Sequence, residues 1–233
     1  CSRCRPSPGP APSPGARSVA GRARRSPQQE CGPDAPKQAT NTVPLDPGSV
    51  WERTFAVAPL VLVGSKEPNG RYNIAPKHMA MPLGWDDRYC FVCTPRHATH
   101  ANIERERVFT ISFPHRFQVV QAALAATRRE PDGSKPSLRA LPTFRATKVD
   151  GVLVHGCYLF LECELERLVS FGDETLVVGK IVAAAAREEA VRGPDLDDTE
   201  ILRRFSPLAY VNPGRFSAVS ETLSFPFPAG FSR

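Results

Sequence analysis

The chain has 233 residues and a formal net charge of +6, which is enough length for one substantial core and a tail. The positive charge belongs to the first 29 residues, which hold six arginines and no acid; from Glu30 onward, 24 basic and 24 acidic side chains sum to zero. The folded part therefore carries no net positive charge that would favour a nucleic-acid partner. No stretch approaches the ~18 apolar residues of a membrane helix.

The chain opens with a stretch rich in Pro, Ser, Ala, Gly and Arg, and ten of its 24 prolines lie before residue 49. Because this composition offers too little apolar surface to offset the entropy lost on ordering, we expect residues 1–48 to form a disordered tail. Residues 49–233 are then one folded domain. No run of seven or more apolar residues near the start suggests a secretory signal, and we expect a cytoplasmic protein.

After the tail, the apolar and β-branched run over residues 57–64 predicts a buried strand. Asn69-Gly70 is a strong signal for a hairpin turn, and the chain returns over residues 71–81 as a second strand. Residues 82–87 form a loop, and residues 88–94 a third strand.

The pattern then changes to mixed helix and strand. Thr99 is a good helix N-cap, and residues 100–107 read as a charged surface helix. Residues 108–113 alternate as a strand, and residues 117–126 space their apolar side chains as a helix. Residues 128–148 are a polar, Pro-containing excursion.

A long hairpin follows, with strands over residues 158–169 and 175–186. In its first strand, apolar side chains alternate with Glu162, Glu164 and Glu166, which predicts a half-buried antiparallel sheet with the glutamates facing away from the core. Residues 183–190 could drift into helix.

A short helix over residues 197–205 and brief strands at 208–211 and 216–219 complete the chain. The sum is about seven strands, mostly connected by hairpins, with short helices as covers. This is a mainly β, antiparallel barrel rather than a βαβ sheet. The dinucleotide fingerprint GxGxxG and the P-loop pattern GxxxxGK[ST] are both absent.

The seven cysteines include a CxxC pair, Cys90 and Cys93, within the third predicted strand. Residues i and i+3 of a strand point to opposite faces, so the pair cannot share one zinc ion. We expect buried thiols in a reducing compartment. The five histidines have no helical i, i+4 pair, and we predict no metal site.

The order of motifs from residue 57 to 113 resembles the flavin-reductase-like, FMN-binding split-barrel family. The segments that carry the resemblance are Asn69-Gly70, Asn73-Ile-Ala-Pro-Lys-His78, Phe91-Val-Cys-Thr94 and Arg96-His-Ala-Thr99-His-Ala-Asn102-Ile103, with fainter matches at Leu161-Glu-Cys-Glu164 and Gly172-Asp-Glu-Thr-Leu-Val-Val-Gly179. Together these segments cover most of residues 55–220. The implied fold is an antiparallel split β-barrel of the FMN-binding type.

The resemblance implies an FMN-binding oxidoreductase, with FAD as a possible flavin, in which NAD(P)H gives hydride to flavin N5. Electrons would then pass to an acceptor or a partner oxygenase. Family members are usually homodimers with the flavin near the subunit interface. Two alternatives stay open: a non-enzymatic, flavoredoxin-like FMN electron carrier, and a flavin-free interaction barrel.

The predicted cofactor-binding residues supply what FMN needs. A phosphate dianion needs donors and positive charge, which Thr99 at a helix N-terminus, Arg96, His97 and Lys77 can provide. The isoalloxazine ring needs a flat slot with free backbone groups, which Pro76 can leave unpaired in its strand. The full predicted set is Asn73, Ala75, Pro76, Lys77, His78, Thr94, Arg96, His97, Ala98 and Thr99. No catalytic side chain is needed, since the cofactor carries the chemistry.

The sequence departs from the family pattern at three places. His97-Ala98-Thr99 stands where many members have Lys-Asp-Thr, so Arg96 or Lys77 must replace the usual lysine. Glu174 stands at a histidine that lies near the nicotinamide region in reductase members, and Lys180 replaces a glutamate. We expect flavin binding to tolerate these changes better than NAD(P)H use.

Overall fold

The computed structural model describes residues 42–193 and 197–222. The folded unit begins at Leu45. The predicted tail lies outside the described residues over positions 1–41. None of the helices in the described ranges is long and apolar enough to cross a membrane.

Twelve strands and four short α-helices make up the described fold. The strands are β1 (Ala56–Pro59), β2 (Val61–Lys66), β3 (Tyr72–Lys77), β4 (Ala80–Pro82), β5 (Arg88–Cys93), β6 (Val108–Phe113), β7 (Thr143–Arg145), β8 (Val152–Val154), β9 (Leu159–Phe171), β10 (Glu174–Ala186), β11 (Leu208–Asn212) and β12 (Arg215–Ala218). The helices are α1 (Val50–Arg53), α2 (Ala98–Glu106), α3 (Val119–Ala125) and α4 (Asp198–Arg204). Short 3-10 helices precede α1 and α3 and lie at Pro136–Ala140 and Glu188–Ala190.

Seven strands form one antiparallel sheet in the order β3-β2-β6-β9-β10-β5-β4. The sheet curls, because side chains from β2 and β5, which are four places apart in this order, pack in the same buried cluster. It does not close, since β3 and β4 remain its two edges. The fold is therefore the predicted split barrel with short covering helices.

The two faces of the sheet each pack against a core. The inner cluster includes Phe91, Phe109 and Ile103, the last of these from α2. The outer cluster is covered by α3, β8 and the 3-10 helix over Pro136–Ala140. Burial on both faces explains why β2 reads as a continuous apolar run instead of an alternating one.

The predicted strand over residues 71–81 is in fact two strands on opposite edges of the sheet. Up to Lys77 it pairs with β2 as β3, and from Ala80 it pairs with β5 as β4. His78 and Met79 thus carry the chain across the split. The Asn69-Gly70 turn is confirmed, with Gly70 at a φ of 80°.

The strand predicted over residues 175–186 is confirmed, because β10 stays paired with β9 up to Ala186 opposite Leu159, and of residues 183–190 only Glu188–Ala190 forms a 3-10 helix. One prediction of local structure is wrong. The predicted helix N-cap is misplaced, since α2 begins at Ala98 with His97 in the capping position. Thr99 therefore lies inside the first turn.

Glu162 lies at a position where the alternation of β9 predicts an exposed side chain, but it is buried. Its carboxylate accepts hydrogen bonds from the backbone N–H groups of Thr147, Lys148 and Val149 and from the Thr147 hydroxyl, over 2.6–3.1 Å. The polar segment over residues 128–148 folds over β9, and the turn at residues 147–149 is held by the buried Glu162 carboxylate.

Candidate functional site

The edge strand β3 approaches β5, the neighbour of the other edge strand, where β3 and β5 both end. The Lys77 side chain lies there with only 9% of its surface exposed, and its Nζ donates a hydrogen bond to Cys93 Sγ at 3.2 Å. Across residues 42–193 and 197–222, no carboxylate lies within ion-pairing distance of this ammonium. A buried cation without a counter-charge is costly unless an anion joins it.

Helix α2 begins directly beside β3. Asn73 Nδ2 donates to Thr99 Oγ1 at 3.3 Å, and both residues are buried, at 3% and 2% exposure. The Thr99 hydroxyl is therefore turned toward the strand and engaged there. Asn73 Oδ1 is a buried acceptor that has no hydrogen-bond partner among the described residues.

The first turn of α2 has no side-chain cap and contains no acidic residue. Arg96 and His97 are exposed just before it. The free backbone N–H groups at the start of a helix, and the positive end of the helix dipole, favour an anion. No capping side chain of this helix takes that place.

Glu174 lies at the same corner and was missing from the predicted site. Both of its carboxylate oxygens accept from Thr94 Oγ1 at 3.0 Å. The contact follows from the pairing of β10 with β5, which sets Thr175 opposite Cys93. From the sequence, Glu174 stood out only as a departure from the family pattern. Its contact with Thr94 depends on the pairing register of β10 and β5, which the sequence does not show.

The charges at this corner shift the neighbouring groups. Burial and then Lys77 lower the pKa of His97, Glu174 opposes them, and Arg96 adds the smallest lowering effect. Burial and then Lys77 also lower the pKa of His78. Both imidazoles are thus favoured in the neutral form near pH 7, and the positive charge of the corner comes from Lys77 and Arg96.

The two predicted segments are brought together at one corner, although not every side chain turns toward it. Ala75 and Pro76 are half-buried on the edge strand β3. His78 instead stacks on Tyr210 of β11, with ring centroids 4.3 Å apart.

Two cavities, of about 470 and about 400 Å³, lie elsewhere on the molecule. None of the predicted site residues lines either of them. The site between β3, β5 and α2, called the cleft below, is therefore separate from both of these cavities.

The donor set of the cleft fits the phosphate end of a flavin mononucleotide. It combines the buried, unpaired Lys77 ammonium, the exposed Arg96 guanidinium and the uncapped N–H groups at the start of α2. Glu174 is the one feature that opposes an anion there. Its carboxylate is held by Thr94 instead of by either cation.

Comparison with known proteins assigns the fold to a family. Residues 54–220 match the flavin reductase like domain. The chain is 31% identical over 131 residues to an uncharacterized protein of Pyrococcus abyssi, covering 55% of this chain and 71% of that protein.

Solved structures give the same fold. Flavoredoxin of Desulfovibrio vulgaris (Miyazaki F) is 25% identical with a TM-score of 0.65, covering 77% of this chain and 96% of that one. An FMN-binding protein from Thermus thermophilus, solved with p-hydroxybenzaldehyde, is 22% identical with a TM-score of 0.60, covering 72% and 90%. With the family match spanning well over half of the chain, this protein belongs to the flavin reductase-like domain family.

Proposed function

We propose that the chain is an FMN-binding oxidoreductase of the flavin reductase type, which uses NAD(P)H as the hydride donor. The observation that carries this proposal is the buried Lys77 ammonium, which lies close enough to the uncapped start of α2 to lower the pKa of the N-cap residue His97. A dianionic phosphate would neutralise that lysine and satisfy the helix N–H groups at once.

Each segment has a distinct part in binding. The backbone N–H groups of Ala98 and Thr99, with Arg96 and Lys77, would hold the phosphate. The edge strand β3, with Asn73 and Pro76, would supply the slot for the ring, because the outer side of an edge strand keeps backbone groups free. When bound, the flavin would accept hydride at N5 and pass electrons to an acceptor or a partner oxygenase.

A second candidate function, an FMN electron carrier without NAD(P)H activity, is favoured by one observation. The Glu174 carboxylate lies at the mouth of the cleft, 3.0 Å from the Thr94 hydroxyl, where reductase relatives carry a histidine. A negative charge at this place would repel the phosphates of a nicotinamide dinucleotide. The similarity to a flavoredoxin agrees with this candidate as well.

We further propose that the protein is a homodimer. Met79 and Met81 expose large apolar side chains at the β4 edge, and family members place the flavin near the subunit interface. A second copy packed there would cover these side chains.

The experiment that tests the proposal begins with titration of the purified protein with FMN and with FAD, followed by flavin absorbance and fluorescence. Lys77→Met should weaken FMN binding by at least about tenfold, since one charge-assisted contact to phosphate is lost. Lys148→Met, which removes an exposed lysine elsewhere, is the matched control and should leave the affinity unchanged.

Anaerobic addition of NADH or NADPH to the flavin-loaded protein then separates the two candidates. Rapid bleaching of the flavin supports the reductase. Slow bleaching, combined with rapid reduction by dithionite, supports the carrier. Absence of any flavin uptake by the wild-type protein contradicts both and leaves an interaction barrel.

A further inference from the structure

A second concentration of positive charge lies away from the flavin cleft, in the cavity of about 470 Å³ beside the β2–β3 turn. Its cationic side chains are Arg71 from the turn, Arg129 after α3, and Lys135 and Arg139 from the polar excursion. The acidic side chains on its wall are Glu67 and Asp132. None of these residues belongs to the predicted flavin site.

The two acids and one of the cations are already engaged. Glu67 forms an ion pair with the Arg129 guanidinium, which also donates to the Gly133 carbonyl at 2.7 Å. Asp132 Oδ1 accepts from the backbone N–H of Ser134 at 2.8 Å and so closes its own turn. The Glu67–Arg129 pair contributes no net charge to the cavity.

Three cations are left without an acidic partner in the described part of the chain: Arg71, Lys135 and Arg139. Against Asp132, they give the cavity an excess of positive charge. Arg71 and Arg139 both line the same cavity, and the planar fork of a guanidinium group matches the oxygens of a phosphate.

Lys135 anchors the floor of this cavity. Its Nζ donates to the Ile74 carbonyl at 3.0 Å and to the Ala125 carbonyl at 2.5 Å, which leaves the third ammonium proton for another acceptor. Burial, and then the nearby Arg129 and Lys77, lower the pKa of Lys135 to about 8. An anion placed above Lys135 would relieve this cost.

The rest of the lining includes Tyr72, Pro136 and Leu138, together with the polar side chains of Asn69 and Ser134. An aromatic ring and two aliphatic side chains beside a cationic floor suit an organic ligand that carries phosphate. The volume also falls in the range of small-molecule sites.

We propose that this cavity binds a phosphate-bearing small molecule, gripped by Arg71, Lys135 and Arg139 and packed against Tyr72. The proposal does not depend on flavin binding, since no residue of the cavity belongs to the predicted flavin set. Lys135 nevertheless contacts β3 at Ile74, next to Asn73, so an occupied cavity would brace the strand that forms the flavin slot.

Isothermal titration of the full chain with inorganic pyrophosphate, and separately with 2′,5′-ADP, tests this site. We expect wild-type binding of pyrophosphate, and the Arg71→Ala/Arg139→Ala variant should weaken it by at least about tenfold. Both arginines are exposed, so circular dichroism and Tm of this variant should match those of the wild type. Tighter binding of 2′,5′-ADP than of pyrophosphate would identify a nucleotide ligand, and equal or weaker binding a simple phosphate.

Two further variants locate the binding. Arg203→Ala/Arg215→Ala removes two exposed charges elsewhere and should change the affinity by less than about twofold. Lys77→Met removes a phosphate contact of the flavin cleft, so the share of pyrophosphate binding that Arg71→Ala/Arg139→Ala abolishes should persist in this variant. No wild-type binding up to about 5 mM, retained affinity in Arg71→Ala/Arg139→Ala, or an equal loss in Lys77→Met would overturn the proposal.

Discussion

Glu162 shows how a single buried acid can hold a segment that has little core of its own. The excursion between α3 and β8 contributes few buried side chains, yet four donors from Thr147, Lys148 and Val149 converge on one carboxylate. Burial alone would raise the pKa of Glu162, but these hydrogen bonds outweigh it and lower the pKa below its usual 4.5.

Glu162→Gln should therefore destabilise the fold by about 2–3 kcal/mol, because an amide cannot accept all of these bonds and turns its own N–H groups toward donors. Urea unfolding at pH 7 measures the loss. Glu164→Gln, on the exposed side of the same strand, is the control and should stay within about 0.5 kcal/mol of wild type.

The same substitution has a pH signature. A lowered pKa in the folded state contributes stability above the unfolded pKa, and that contribution is lost as the pH falls through the folded value. The gap between wild type and Glu162→Gln should thus be full at pH 6 to 7 and shrink as the pH falls below about 4.5. A gap that does not change with pH would contradict the assigned role.

At the flavin cleft, Glu174 separates the two candidate functions. Glu174→His restores the family residue and removes the negative charge beside Thr94. We expect anaerobic bleaching of bound flavin by NADPH to accelerate by about tenfold or more, because the donor's phosphates no longer face a carboxylate. Glu174→Gln isolates the charge effect, and unchanged rates in both variants would rule out charge repulsion at this position.

Among the elements, β10 is the strand that links β5, which borders the cleft, to the rest of the sheet. It pairs with β9 on one side and with β5 on the other, and at Gly179 it passes directly over the Phe109 ring. A Cβ at this position would clash with Phe109 Cζ and lie 2.7 Å from Cε1. The glycine is needed here for close approach.

Gly179→Ala should consequently cost about 1–3 kcal/mol, since Phe109 is fully buried and cannot move aside without disturbing the core. Thermal unfolding should show a lower Tm for this variant. Gly193→Ala meets nothing within 4 Å and serves as the matched control. Equal Tm values for the two variants would show that the Phe109 ring can move aside without a loss of stability.

At the scale of the whole molecule, the open split leaves apolar side chains on the β4 side of the cleft. Met79, Met81 and Trp85 are exposed by 59%, 55% and 88%. Patches of this kind on a folded domain commonly become interfaces.

We expect light scattering of the purified protein to give a mass near twice the 25.5 kDa of the chain. Met79→Lys/Met81→Lys should shift this mass toward the monomer, because two buried charges oppose association. Val120→Lys, which places a charge at an exposed position of α3, should leave the dimer intact. A monomeric wild-type protein would contradict the dimer proposal.

Most of the strands, the Asn69-Gly70 hairpin and the order of family motifs can be predicted from the amino-acid sequence. These features depend on local alternation, turn chemistry and spacing along the chain, all of which one sequence displays. It could not show that residues 71–81 divide at the split, because a strand pattern does not say which partner each half will take.

The side-chain contacts of the cleft, in contrast, could be seen only after the chain had folded. The contacts of Lys77 with Cys93, of Glu174 with Thr94 and of Glu162 with the 147–149 turn all join residues that are distant in sequence. Strand register and the curl of the sheet set these contacts, and a shift of one residue would turn each side chain to the other face. Register depends on the packing of the whole sheet, so the charge balance of the cleft became visible only in the folded chain.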